Sequence, residues 1–528
     1  MRLSQGTEMN HILPSHPGLA PRRPIRRTLA FHLAVVALGA LSATQVAQAQ
    51  EQEEQAGPLT DPVLFTQFTG LERQAALANQ AVYNALFDRC SGQQPEACTG
   101  EIANVFRNAR ELVETAEEIL TGTDRRFGLN LDAEGLGFAL RWTAAEELLA
   151  QGSMANDFAN SQTSALGSRV GAIRMISRAN LAASRMLGDP QTQVAGRPGY
   201  GGGGASGDSS APRLSLFFDA AGGYGEKDPT DLEDAFDFEG YEYTLGLDYR
   251  FSDSLVAGAL FGYTDRYVDF DSSQSIVDGT IDSKGYSLIA FLQWDRPWFY
   301  ATASLGYQDL SFDIFRRISY PSFDPNVAST NTATAGSPDS SAFLGTLTVG
   351  VPFQVRAFGA DVYLKADYQD LDVDAFTERA VAVPGNSGSG FQFNVGSQSI
   401  KSTDVAVGAK VQFVLTPRFG VFVPFIRGEY HTELEDQPRT ISTVYAGLPP
   451  DVVAAVQDAV NFSLFSEKPD KNYYTLTGGV SAVLRGSTRV NEAGRAGGGL
   501  QAYLQYTTVL DLEHYDDSVI AGGLRYEF

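Results

Sequence analysis

Over most of its C-terminal 300 or so residues the chain changes between apolar and polar at every second position, a period that belongs to strands with two unlike faces. Tyr241, Tyr243, Leu245, Leu247, Tyr249 and Phe251 share one face, with Glu242, Thr244, Gly246, Asp248 and Arg250 on the other. The rule repeats in Leu255, Ala257, Ala259, Phe261 and Tyr263, in Tyr286, Leu288, Ala290, Leu292 and Trp294, and in Phe299, Ala301, Ala303, Leu305 and Tyr307. Val362, Leu364, Ala366 and Tyr368 oppose Asp361, Tyr363, Lys365, Asp367 and Gln369. Aromatic residues gather at the strand ends, as girdles at two membrane interfaces would, and the opposite face is charged again and again. A soluble sandwich does not combine these features, whereas a barrel with lipid outside and water inside does.

Counting such segments gives about 12 strands, near 213–224, 239–251, 254–270, 280–295, 297–319, 340–356, 360–378, 391–415, 420–438, 471–485, 499–515 and 518–528. Short connections, such as Ser252-Asp253, Asp295-Arg296-Pro297, one near Phe358-Gly359 and Thr416-Pro417-Arg418, alternate with long polar ones such as 226–238, 320–340 and 442–471. Two connections break the rule: Arg485 to Gly499 is long on the short side, and Asp516-Asp517 is short on the long side. The expected fold is a membrane all-β, 12-stranded antiparallel transmembrane β-barrel, both ends on the periplasmic side, preceded by a small α-helical region.

The N-terminus reads as an address. Arg22, Arg23, Arg26 and Arg27 precede an apolar run from Leu29 to Leu41, and Ala47-Gln48-Ala49 offers a small-x-small cleavage site. Residues 1–49 are thus read as a secretory signal peptide, with the mature chain starting near Gln50. No later apolar stretch reaches the roughly 18 residues of a membrane helix, and with 53 Gly, 33 Phe and 22 Tyr the composition excludes a polytopic helical membrane protein.

Residues 50–195 have a helical period, over Leu71 to Arg89, Glu101 to Leu120 and Leu136 to Ala150. Export to an oxidising compartment makes Cys90 and Cys98, the only two cysteines, candidates for a disulfide clipping the first two helices. The run Glu111, Glu114, Glu117 and Glu118 is read as a solvated helix face. Further on, 158–188 contains Arg169, Arg174, Arg178 and Arg185 but no acid. Arg174, Arg178 and Arg185 fall within roughly 40° on a helix, which makes either a slim helix with a cationic stripe or a fourth bundle helix with its charges in water. Glu242, Asp248, Asp361 and Asp367 on the wet strand face would suit such a stripe as partners. A Gly/Ser-rich linker, 196–211, separates this region from a barrel over 212–528.

Chemistry has little to work with. No histidine occurs between Glu51 and Ala211, so no Ser-His-Asp or Cys-His set can form there. Gly207-Asp208-Ser209-Ser210 imitates the opening of a secreted-esterase motif but lacks its Leu, its preceding strand and its downstream His block. The mature chain keeps only His431 and His514, expected near outer strand ends in surface-loop or girdle roles. The expectation is a non-enzyme with no catalytic, cofactor-binding or metal residues. The net charge of -24 argues against a nucleic-acid partner.

The ordered set of Gly-Tyr pairs (Gly240-Tyr241, Gly262-Tyr263, Gly285-Tyr286, Gly306-Tyr307), the stretch Val423 to His431 and the terminal Arg525-Tyr526-Glu527-Phe528 resembles the β-domain of autotransporters, the translocators of type V secretion. The resemblance covers about 213–528. It implies a bacterial outer-membrane barrel that carries an N-terminal passenger to the cell surface, with a helix in its lumen. It implies outer-membrane lipid as surroundings and a monomer. It also makes Leu524, Tyr526 and Phe528 the signal read by the barrel-assembly machinery after periplasmic chaperones. The helical region is then either displayed or retained. The alternative expectation is an outer-membrane pore or surface adhesin whose helical domain stays periplasmic.

Overall fold

The computed structural model describes residues 56–91, 98–155, 158–167, 171, 214–252, 254–271, 275–384, 389–417, 421–435, 437–459, 463–485 and 499–528. The signal-peptide reading, Arg169, the stripe of Arg174, Arg178 and Arg185, and the glycine tract lie outside the described residues.

Twelve strands close into a barrel. They are β1 (Leu214–Lys227), β2 (Phe236–Ser252), β3 (Leu255–Phe270), β4 (Asp278–Asp295), β5 (Tyr300–Tyr320), β6 (Asp339–Val355), β7 (Phe358–Val373), β8 (Gln398–Phe413), β9 (Val421–Glu433), β10 (Asn472–Arg485), β11 (Gly499–Leu510) and β12 (Tyr515–Glu527). Each pairs antiparallel with its neighbours in sequence, and β12 pairs with β1, Leu216 opposite Tyr526, so no strand edge is left unpaired around the ring. Outward side chains between the aromatic belts are bare: Leu288, Leu305 and Ile426 are 62%, 62% and 63% exposed. Such a continuous apolar belt is stable only in lipid. Leu524, Tyr526 and Phe528 point outward on the final strand. Among the described residues no helix is long and apolar enough to cross a membrane.

Three strand readings are corrected. The last loop is not Asp516-Asp517, which lie within β12 opposite Glu226 and Gly225 of β1. The chain turns instead over 511–514, where Asp511 adopts a left-handed φ of 68°. β8 begins at Gln398 rather than near 391, because Phe393–Val395 leaves the barrel to pair with Thr440–Tyr445 in a separate small sheet. The long connections are also folded: Thr330–Gly336 pairs with the end of β5, and α5 (Pro450–Ala459) forms within the connection before β10, after the earlier helices described next.

α1 (Gly70–Ser91) buries Leu71, Ala75, Ala78, Val82 and Leu86, one stripe at helical spacing. α2 (Glu101–Thr121) lays Val105, Ala109, Leu112 and Ala116 beside it and ends on Gly122, whose φ of 65° lets its N–H reach the Glu118 carbonyl at 2.8 Å. The Cys90–Cys98 disulfide joins them. α3 (Ala133–Thr143) starts on the Asp132 side chain, which accepts from the Gly135 N–H. It stops seven residues before the expected end at Ala150, since Ala145 turns left-handed and Glu146 folds back onto Arg141.

The glutamate run is not a solvated face. Glu114 accepts the Phe127 N–H at 2.8 Å, Glu118 accepts those of Arg125 and Asn130, and Glu111 is buried. The run pins the 122–132 connection to α2.

Candidate functional site

The barrel interior and the mouth at its loop end hold the features that bear on function. At the turn end, where β1 begins, the fully described connections are short. At the other end the folded connections make a cup, and the helical unit sits in it. Leu71 N–H donates to the Asp231 carbonyl and Phe323 N–H to the Leu129 carbonyl. Asn104 and Asn108 reach Ser389, Tyr445 OH donates to Asn79, and Arg439 donates to the Leu149 carbonyl. One hydrophobic core runs without a break from Leu59 through Leu112 and Leu148 to Phe312, Phe393 and Leu464.

The barrel strands prepare this core by exchanging their faces. In β5, Thr302, Ser304 and Gln308 point inward while Leu305 and Tyr307 point out; from Leu310 on, Phe312, Ile314, Ile318 and Tyr320 point inward and Asp309, Ser311 and Asp313 outward. β3 does the same at Val268 and Phe270, β7 at Leu371 and Val373, and β8 at Ile400. Above the exchange the inside of the wall faces protein rather than water.

Below the helical unit the chain descends through the barrel. Gln398, the first residue of β8, bonds Gln151, and Gln308 donates to the Ala155 carbonyl. Deeper, α4 (158–167) sets Gln162 among Glu242, Thr244 and Ser287, at 3.5, 3.4 and 3.1 Å. A Cβ on Gly262 would overlap the Gln162 amide, so glycine there lets the helix lie against the wall. A Cβ on Gly171 would stand 3.4 Å from the Lys410 amine, near the turn end of β8. Contact thus moves steadily from the loop end toward the turn end, where Leu214 opens β1.

The wall is lopsided. Where α4 rests, on β2 to β5, Gly262, Thr264, Ser287 and Gly306 point inward beside the Glu242–Arg266 pair. The facing wall carries further charge, and a cavity of about 220 Å³ separates it from α4. There Lys365 meets Asp367 at 2.7 Å, Arg427 meets Glu429 at 3.5 Å, and Tyr363 OH donates to Glu429 at 2.7 Å.

The four predicted lumen acids all point inward. Glu242 pairs with Arg266 at 3.0 Å and Asp248 with Arg525 at 3.2 Å, Asp367 takes Lys365, and Asp361 lies opposite Lys410 in register. Each therefore has a cation of the barrel wall beside it. His431 is a correction: it is buried and faces the lumen, its Nδ1 2.8 Å from Asp404 and its ring stacked on Tyr473. His514 lies in the 511–514 turn. Among the described residues no group of three or more His, Cys, Asp or Glu side chains could hold a metal ion.

The autotransporter β-domain family model matches residues 216–491, over half of the chain. The chain belongs to the autotransporter β-domain family. It is a β-barrel translocator of the bacterial outer membrane with an N-terminal helical region. Similar solved structures include the translocator domain of the autotransporter NalP from Neisseria meningitidis, at 15% identity and TM-score 0.42, covering 61% of this chain and 90% of that one. The β-domain of the Bordetella autotransporter BrkA (14%, 0.34, 60% and 100%) and the transport unit of AIDA-I from Escherichia coli (10%, 0.34, 67% and 99%) are also similar. Membership rests on the sequence match, not on these overlays. No curated protein sequence matches the chain.

The sequence reading missed Gln162 and the cup. Gln162 has no periodic signature. The cup had one: a strand whose inward face turns apolar after residue 309 is a strand that meets a second core.

Proposed function

We propose that this autotransporter barrel displays its own helical unit on the outer surface and keeps it there, seated in the mouth as a cap. The observation that carries this reading is the order of contacts along the chain. Residues 56–155 touch the loop end, 158–167 lie within the lumen, and Leu214 starts at the turn end. In outer-membrane barrels the long loops face outward and the short turns face the periplasm. A periplasmic helical unit, as the pore or adhesin reading requires, would have to sit at the turn end instead.

Retention follows from the shared core. Detaching the unit would expose Phe312, Phe393 and Leu448 together with Leu71 and Leu148, all buried against one another. On this reading residues 1–49 are removed in export, 196–211 serve as linker, and the terminal Leu524, Tyr526 and Phe528 engage the assembly machinery after chaperone escort. The mature barrel then acts as a non-enzymatic monomer.

A cysteine at Val63, which is 66% exposed on the unit, tests the reading. A membrane-impermeant maleimide should label Val63→Cys on intact cells, in a band that stays with the cells at full mature length. Labelling only after permeabilisation would reject display, and labelled fragments in the medium would reject retention.

A further inference from the structure

Where the helical unit enters the cup, charge is enclosed without enough counter-charge. Arg316 of β5 is fully buried and is gripped by Glu378 from the connection after β7, through Nε and Nη2 at 2.8 and 2.9 Å. Glu378 also accepts from the Thr334 hydroxyl and the Phe393 N–H, so its oxygens are well supplied. Asp234, from the connection after β1, accepts the N–H groups of Ala235, Ile276 and Val277. Arg141 holds Glu146 at 3.1 Å, with Asp234 at 3.9 Å.

Glu147 differs from all of these. It is 1% exposed, neither of its oxygens has a hydrogen-bond partner on another residue, and its nearest cation is Arg316 Nη1, 4.0 Å from Oε2. That Nη1 likewise lacks a hydrogen bond. The charged groups that act on Glu147 are Arg316 from β5, Glu378 and Asp234 from two connections, and its neighbour Glu146, while the Gly279 backbone of β4 lies beside its Cγ. Counting Arg141, which pairs with Glu146 and Asp234, these four buried carboxylates have two guanidinium groups among them. A buried carboxylate with no donor beyond its own backbone N–H is more stable protonated.

We propose that Glu147, Arg316 and Glu378 form a proton-operated latch between the helical unit and the barrel mouth, seated while Glu147 holds a proton and loosened when it gives the proton up. The released proton goes to solvent, and the new carboxylate competes with Glu378 for one guanidinium. This deepens the display reading, on which it rests: it makes the hold on the unit answer to the pH outside the cell.

Burial raises the Glu147 carboxyl from 4.5 to about 7, against the pull of Arg316. A raised acid favours the seated state fully below 4.5, and that contribution is lost as pH climbs through about 7. Glu146 is raised the same way, to about 8, against the pull of Arg141.

The test uses the full-length protein purified in detergent. Proteinase K digestion of the helical unit is followed between pH 5.5 and 8.5, with rates scaled to an unfolded substrate and barrel closure checked by heat-modifiable gel migration. The wild type should be cut at least about tenfold faster at pH 8.5. Glu147→Gln and, as a second neutral variant, Glu147→Leu should each lower that ratio by about tenfold, the remainder belonging to Glu146 and Glu111, whose carboxyls burial also raises. A wild type indifferent to pH, or neutral variants that keep the full wild-type ratio, would overturn the latch. Detergent removes sidedness, so failure here leaves display standing, and failed surface labelling with a working latch rejects display alone.

Discussion

Below residue 309 of β5 the wall is apolar outside and polar inside; above it, the same strand is polar outside and apolar inside. The lower region is a membrane barrel, held by a closed ladder of backbone hydrogen bonds and by lipid on its outer face. The upper region is a cup in water, held by side chains that meet the helical unit. One strand therefore serves two solvents, and the helical unit belongs with the upper one. The lower region stands by local pairing, while the upper stands only when segments some 300 residues apart in sequence, such as Leu149 and Arg439, come together.

If the two regions are held by separate forces, a change in one should leave the other standing. Arg316→Ala removes the guanidinium that Glu378 needs in a buried site and should weaken the cap by about 3–5 kcal/mol. The cap's thermal transition should collapse while the barrel keeps its heat-modifiable migration. Leu305→Arg acts in the opposite sense: a cation on the lipid face costs about 2–4 kcal/mol at mid-membrane. Urea titration of the barrel in lipid vesicles should report that loss with the cap's own transition unmoved before the barrel opens. Opening the Cys90–Cys98 disulfide, by Cys90→Ser or by reductant, should cost the cap roughly 2 kcal/mol, since the loop it closes is short. Differential scanning calorimetry would read it as a lower first transition only.

The smallest effect concerns Glu111, which burial raises from 4.5 to about 7, opposed by Arg107 and Arg110. Its contribution to the cap is whole below 4.5 and fades as pH rises through about 7. Glu111→Gln should therefore flatten part of the fall in the cap's midpoint between pH 5 and 8 and change nothing in the barrel. Any of these variants that melted both regions together would show that the exchange of faces does not divide the molecule into two.

The barrel was legible because each of its strands states its own rule. Tyr241 to Phe251, or Tyr286 to Trp294, carries its facing in its own alternation, and the neighbour in sequence is the neighbour in the sheet. The turn at 511–514 was misread because Asp516 and Asp517 look like a loop, yet their partners Glu226 and Gly225 on β1 keep them in the ladder. Glu111 to Glu118 was misread as solvated because a helix pattern cannot say what covers it. Here the 122–132 connection does, supplying N–H donors to Glu114 and Glu118. His431 was misplaced since its facing depends on Asp404 and Tyr473, 27 and 42 residues away, though its position two residues from Glu429 already put it on the wet face.

What the sequence determined alone was the period, and with it a closed, lipid-facing sheet of twelve strands ending on Phe528, because alternation is written residue by residue and a one-residue slip would turn every side chain to the wrong solvent. Tertiary structure decided where the helical unit sits and which charges it buries. Arg316, Glu378 and Glu147 are 231 positions apart at the extremes and have no common pattern. Only the closing of the barrel and the folding of its connections bring them into one dry place, and only there does a lone carboxylate become a group that prefers its proton.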